Sequence, residues 1–173
     1  MVNGVFNEIL RHWVMLRDAL VLDPMVLADP HIIIRLAVQV LLLIGSGFFS
    51  GSETALFSLS RLDLQRLRKE RNPYSESIHA LLDQPRRLII SILCGNELVN
   101  VASAANMAGI LVHLYGAEKA GWLTTLVMVP LLLLFGEVTP KTIAVSDPVR
   151  VTTGVVAAPM SLWVKLVAPL RWV

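Results

Sequence analysis

The stretch Leu36 to Thr54, LAVQVLLLIGSGFFSGSET, decides how this chain is read. Between Arg35 and Glu53 it carries no charge. At about 1.5 Å per residue in a helix, that interval covers most of a hydrocarbon core of about 30 Å. It reads as a membrane span, yet it closes on Ser50-Gly51-Ser52-Glu53-Thr54, oxygen-bearing side chains that lipid cannot solvate. Two further apolar runs are broken in the same way, by Gly95-Asn96-Glu97-Leu98-Val99-Asn100 and by Gly136-Glu137-Val138-Thr139-Pro140. Ionisable groups at such depth are costly and mark functional sites by default. Three such clusters on three spans point to one polar pocket inside a helix bundle.

Composition agrees with an all-α membrane protein. Of the 173 residues, 55% are hydrophobic and 16% charged, and mean hydropathy is +0.66, far from an ordinary soluble domain. A net charge of +2 and the lack of a Lys/Arg block with interleaved aromatics argue against nucleic acid as a partner. Cys94 is the only cysteine, so no intrachain disulfide forms, and within an apolar run it reads as a buried, inert thiol. The spans are expected at about 31–58, 88–114 and 120–137, the second with Glu97 as its only charge and the third with Trp122 as an interfacial anchor.

Outside the spans, residues 1–30 lack the basic start and uninterrupted apolar run of a cleavable signal. Phe6, Ile9, Leu10, Trp13, Leu16 and Leu20 instead recur at helical spacing and form an amphipathic N-terminal segment. The connection 60–87 carries Arg61, Arg66, Arg68, Lys69, Arg71, Arg86 and Arg87, whereas the next connection carries only Lys119. The positive-inside rule makes the first cytoplasmic, which puts the N-terminal segment outside and the C-terminus in the cytoplasm. Within 60–87, Ser60-x-x-Asp63 opens a short helix, Asn72-Pro73 breaks it, and 77–82 forms a second before Pro85. That is a basic cytoplasmic helical hairpin, able to meet anionic lipid. Arg150 and Lys165 bracket only about two-thirds of a spanning length. The segment 149–170 is therefore read as an interfacial juxtamembrane helix kinked at Pro159, with a fourth crossing as the alternative.

Asn96 and Asn100 are four apart, so on a helix they point the same way, one turn above the other. Pro140 lacks an N–H and disfavours helix at Thr139, so carbonyls around Glu137 are expected to leave the helical ladder, as are those at Ser50-Gly51-Ser52. Irregular backbone at that depth is how discontinuous helices offer carbonyls to cations. A carboxylate, amides, hydroxyls and carbonyls form an all-oxygen set that suits hard cations, while soft metals want thiolate or imidazole. His12, His31, His79 and His113 lie outside the clusters, against a zinc site. The pattern alone reads as a site for a divalent cation or Na⁺.

The segments Phe49-Ser50-Gly51-Ser52-Glu53-Thr54-Ala55, Gly95-Asn96-x-x-Val99-Asn100 and Gly136-Glu137-Val138-x-Pro140-Lys141 resemble the signature segments of the CorC/CNNM magnesium transporters, over about residues 31–170. The resemblance implies three spans per protomer, a homodimer in the plasma (inner) membrane, a cytoplasmic juxtamembrane belt helix, and Na⁺-coupled Mg²⁺ export. It implies a dehydrated Mg²⁺ site made by Ser50, Asn96, Asn100 and Glu137, with a backbone carbonyl from Gly95 or Gly136. Na⁺ would sit nearby, with Ser52, Glu53 and Thr54 as candidates by proximity, and Glu97 on the pathway or paired with a neighbouring donor. Members of that family usually continue into paired cystathionine-β-synthase-type domains that bind adenine nucleotide. This chain stops at Val173 without a nucleotide signature, as an excised or shortened relative would. Two other classes stand beside the transporter: a membrane anchor whose polar clusters only hold helices together, and a proton-coupled carrier relaying through Glu53, Glu97 and Glu137. An enzyme is not expected, because no Ser-His-Asp arrangement or zinc motif is legible.

Overall fold

The structure, a computed structural model, describes residues 29–168. The amphipathic segment expected over 1–30 therefore lies almost wholly outside the described residues. Helix α1 (Pro30–Phe57) starts where Asp29 accepts a hydrogen bond from the His31 N–H and Pro30 occupies the first turn, a position where its missing N–H costs nothing. Two short helices follow, α2 (Arg61–Lys69) and α3 (Ser75–Leu82). Ser60 and Asp63 close a reciprocal capping box on α2. Helix α3 begins two residues earlier than the sequence reading placed it.

Helix α4 (Pro85–Tyr115) runs 31 residues to Gly116, whose φ of 80° lets the chain turn at once into α5 (Ala117–Ser146). These three long helices are long and apolar enough to cross a membrane. Their outer faces present Ile34, Leu41, Leu98, Val101, Leu126 and Leu133, the surface an all-α membrane protein turns to lipid. The final helix, α6 (148–166), is not among the spanning candidates. It packs on α1, then on α3 and α4, and the Trp163 indole N–H donates to the Ser91 carbonyl at 2.8 Å. Its buried face is Thr152, Val156, Ala157 and Met160, while Val155 and Leu162 point outward.

The expected break at Pro140 does not occur. Helix α5 continues through it by widening into a π-helical turn over Leu132–Val138, where the Thr139 N–H bonds to Leu134 O, five residues back. In that register the proline's missing donor falls on the Phe135 carbonyl, so one carbonyl is released and the helix is kept. A second π turn, Thr152–Val156, precedes Pro159 in α6. Such turns are rare and concentrate at functional sites. Nor does Ser50-Gly51-Ser52 open α1: the Ser52 hydroxyl donates to Phe48 O at 2.6 Å, and Gly51 makes room for Pro140.

Apolar packing gathers at the two ends of the bundle. At the hairpin end Phe49, Ala55, Leu56, Leu67, Ile78, Leu88, Ala144 and Met160 form one cluster. At the opposite, distal end Met107, Ile110, Leu111, Leu123 and Met128 form the other. The polar residues lie between them.

Candidate metal centre

Helices α1 and α4 run antiparallel with a fixed register. Gly45 packs on Val99, Ser46 on Asn100, and Gly95 under the Phe49 ring. The glycines are what allow this approach: a Cβ on Gly95 would overlap the Phe49 ring, as small residues at membrane helix contacts generally permit. Phe49 is held in turn by Phe48 and Trp163, with ring centroids 5.3 Å and 5.2 Å away.

Ser46 stands where three helices meet. Its buried hydroxyl donates to Asn100 Oδ1 at 2.7 Å, and a Cβ on Gly136 of α5 would lie 2.6 Å from Ser46 Oγ. The backbone of Glu137 is thus brought to the level of Asn100, and its side chain is half-buried. One turn toward the hairpin, Ser50 on α1 comes level with Asn96 on α4. Ser50 Oγ and Asn96 Oδ1 are both buried without a hydrogen-bond partner. Buried polar atoms are nearly always paired, so each exception calls for a reason such as an ion. A cation held between α1, α4 and α5 would satisfy both.

The structure therefore brings Ser50, Asn96, Asn100, Gly95 and Gly136 into one region, with Glu137 at its edge. Glu53 and Thr54 are half-buried one turn further along α1, and Ser52 and Thr54 direct their hydroxyl protons to carbonyls of their own helix. Glu97 is exposed, off the face that Asn96 and Asn100 share. Cys94, expected to be buried, is also exposed. The released Phe135 carbonyl faces Gly47, lying 3.0 Å from where a Cβ would sit there, and so contacts α1. Among the described residues, no three His, Cys, Asp or Glu side chains come together. The donors are amide and hydroxyl oxygens with one carboxylate, the chemistry of a hard cation. An apolar groove of about 560 Å³ between α1, α5 and α6, walled by Leu43, Gly47, Phe135, Pro140 and Val156, lacks any charged side chain and offers no comparable donor set.

Ser46 escaped the sequence reading, although it lies four residues before Ser50 and thus on the same helix face. That spacing was the signal.

Residues 37–173 match the family model described as the cyclin M transmembrane N-terminal domain. The chain belongs to the cyclin M transmembrane domain family. This cyclin M domain is 36% identical over 129 residues to the UPF0053 inner membrane protein YfjD of Escherichia coli, covering 73% of the chain and 29% of that protein. It is 34% identical over 115 residues to a UPF0053 protein of Haemophilus influenzae, covering 66% and 27%. A DUF21 domain-containing protein of Arabidopsis thaliana is 30% identical over 152 residues, covering 85% and 34%. The chain thus spans about a third of the length of the curated relatives it matches. The resemblance drawn from the three motifs and the membership found by the family model agree.

Proposed function

We propose that this cyclin M domain binds a dehydrated Mg²⁺ ion between α1, α4 and α5 and carries it across the membrane, with Na⁺ as the coupling ion. The observation that carries this reading is the pair of buried, unpartnered acceptors, Ser50 Oγ and Asn96 Oδ1, at the level where the three polar clusters meet. Mg²⁺ takes six oxygens at roughly 2.0–2.1 Å and suits a site with one or two carboxylates. Here Ser50 supplies a hydroxyl, Asn96 and Asn100 supply amide oxygens, and Glu137 supplies the carboxylate. A carbonyl of Gly95 or Gly136 completes the protein's share. The Ser46 hydroxyl uses one lone pair of Asn100 Oδ1 and so turns that oxygen toward α1, leaving the second lone pair for the ion.

The basic hairpin makes that end cytoplasmic by the positive-inside rule, so the distal end faces outside, and the inner membrane is the location. Glu97 supports a homodimer: an ionisable group exposed at span depth faces protein or a water-filled cavity rather than lipid, and a second copy against the Leu98 and Val101 side of α4 would cover it. Ser52, Glu53 and Thr54, next along α1, would be the candidates by proximity to hold Na⁺. Nucleotide-binding regulatory domains of longer relatives would act on this domain from the hairpin side.

The test is flux. Protein reconstituted in vesicles loaded with an Mg²⁺-sensitive dye should move Mg²⁺ faster when a Na⁺ gradient is imposed, and Glu137→Gln should abolish the movement. Flux that follows a pH gradient and ignores Na⁺ would favour the proton-coupled carrier; vesicles with no flux above protein-free controls would favour the anchor.

A further inference from the structure

Helix α1 carries a second polar layer, and its state is the opposite of the first. Gln39 lies seven residues before Ser46, two turns along the same face, about 10 Å toward the distal end. Gln39 is buried, and its amide is hydrogen-bonded through both nitrogen and oxygen. Its nitrogen donates to Ser103 Oγ at 2.6 Å and approaches Met128 Sδ at 3.5 Å, while its oxygen accepts from Asn106 Nδ2 at 2.9 Å. Asn106 also donates to the Arg35 carbonyl at 2.9 Å. The layer ties α1 to α4 and touches α5. On its distal side the Arg35 guanidinium lies across Gly109, where any Cβ would overlap it. Beyond that, His113 Nε2 sits 3.5 Å from Asp29 Oδ2.

In hydrocarbon a polar group without a partner is costly, so a layer that persists there must satisfy itself. The Gln39 layer does, and its hydrogen bonds across α1 and α4 have to part before a cation can pass. The Ser50–Asn96 layer does not, and has acceptors to spare. One layer is built to stay shut and the other to receive a ligand. An ion leaving the Ser50–Asn96 level between α1 and α4 toward the distal end passes the Ser46–Asn100 bond, then meets Gln39, Ser103 and Asn106, and then the positive charge of Arg35.

We propose that the Gln39–Ser103–Asn106 layer is the closed distal gate of the cation path, opened when Gln39 parts from Ser103 and Asn106. This rests on the transport reading above, and the experiment separates the two.

In a Cys94→Ser background, which removes the exposed native thiol, Ser103→Cys places a near-isosteric thiol inside the layer. A membrane-impermeant methanethiosulfonate should modify it slowly at rest and at least about tenfold faster during Mg²⁺ flux, because a minor open state is typically populated at about 0.1–10%. Equal rates with and without flux would overturn the gate. A second variant, Gln39→Cys with Asn106→Cys, is joined by a short bifunctional thiol reagent with a cleavable disulfide. Crosslinking should leave Mg²⁺ binding by calorimetry intact, stop vesicle flux, and release flux on reduction. Undiminished flux through crosslinked protein would overturn the gate while leaving the cation site standing. Loss of Mg²⁺ binding in the parent Cys94→Ser protein would overturn the site and the gate with it.

Discussion

Ser50→Ala separates a binding site from a structural contact because the two roles predict opposite signs. Without a cation, Ser50 Oγ is buried and unpaired, and an unsatisfied buried polar atom costs about 1–3 kcal/mol. Alanine removes that penalty and leaves almost no cavity, so the variant without Mg²⁺ should be more stable by about that amount, or roughly 2–4 °C in Tm per kcal/mol for a chain of this size. With Mg²⁺ at about 100 times its Kd, the parent protein gains about 2.7 kcal/mol by mass action. If losing the hydroxyl weakens binding about tenfold, the variant gains only about 1.4 kcal/mol at the same concentration. The assay is thermal unfolding in detergent across an Mg²⁺ titration. The expected result is a higher starting Tm and a smaller Mg²⁺ increment. A lower starting Tm with an undiminished increment would refute the reasoning, since it would make Ser50 a packing residue that no ion touches.

Other substitutions test neighbouring parts of the account. Gly136→Ala puts a Cβ 2.6 Å from Ser46 Oγ, forcing the Ser46–Asn100 bond to break or α1 and α5 to separate. A destabilisation of about 1–3 kcal/mol, typical of overpacking, should accompany weaker Mg²⁺ binding in calorimetry. Trp163→Phe removes the donor to Ser91 O and should cost about 0.5–1.5 kcal/mol in thermal unfolding with Mg²⁺ affinity unchanged, because α6 braces the site without supplying a ligand. Hydrogen bonds from the Ser60 side chain and backbone hold the Asp63 carboxyl below its ordinary value of 3.8. Its contribution to the α2 cap is present above that ordinary value and lost as pH falls through the lowered one. The protection of α2 amides, measured against their intrinsic exchange rate at each pH, should therefore fall on acidification below about pH 4, and Asp63→Asn should remove that change.

What the sequence revealed follows from how local each signal is. The three spans were legible because charge-free length is a property of a single segment. The capping box on α2 was legible because Ser60 and Asp63 are three residues apart. That Asn96 and Asn100 share a helix face was legible because they are four residues apart, whereas Gly95 and Gly136 entered as possible ligands only through the family resemblance. The course of α5 was misread because Pro140 was weighed as a helix breaker, and nothing local shows that a π turn starting at Leu132 absorbs it. Ser46 was missed because a serine in an apolar run is unremarkable until Asn100 and Gly136 are placed against it. The Gln39 layer was hidden for a similar reason: its partners lie 64 to 89 residues away, and only the antiparallel register of α1 and α4 brings Ser103 and Asn106 to it.

The central claim is that these oxygens hold Mg²⁺, and calorimetry of Mg²⁺ binding tests it most directly. The purified chain would be measured beside Asn96→Ala and Glu137→Ala, with Ca²⁺ and Na⁺ as competitors and circular dichroism as the check on folding. Saturable Mg²⁺ binding in the parent that disappears in both folded variants is the predicted result. Binding that persists unchanged in both would contradict the site and put the membrane-anchor reading ahead.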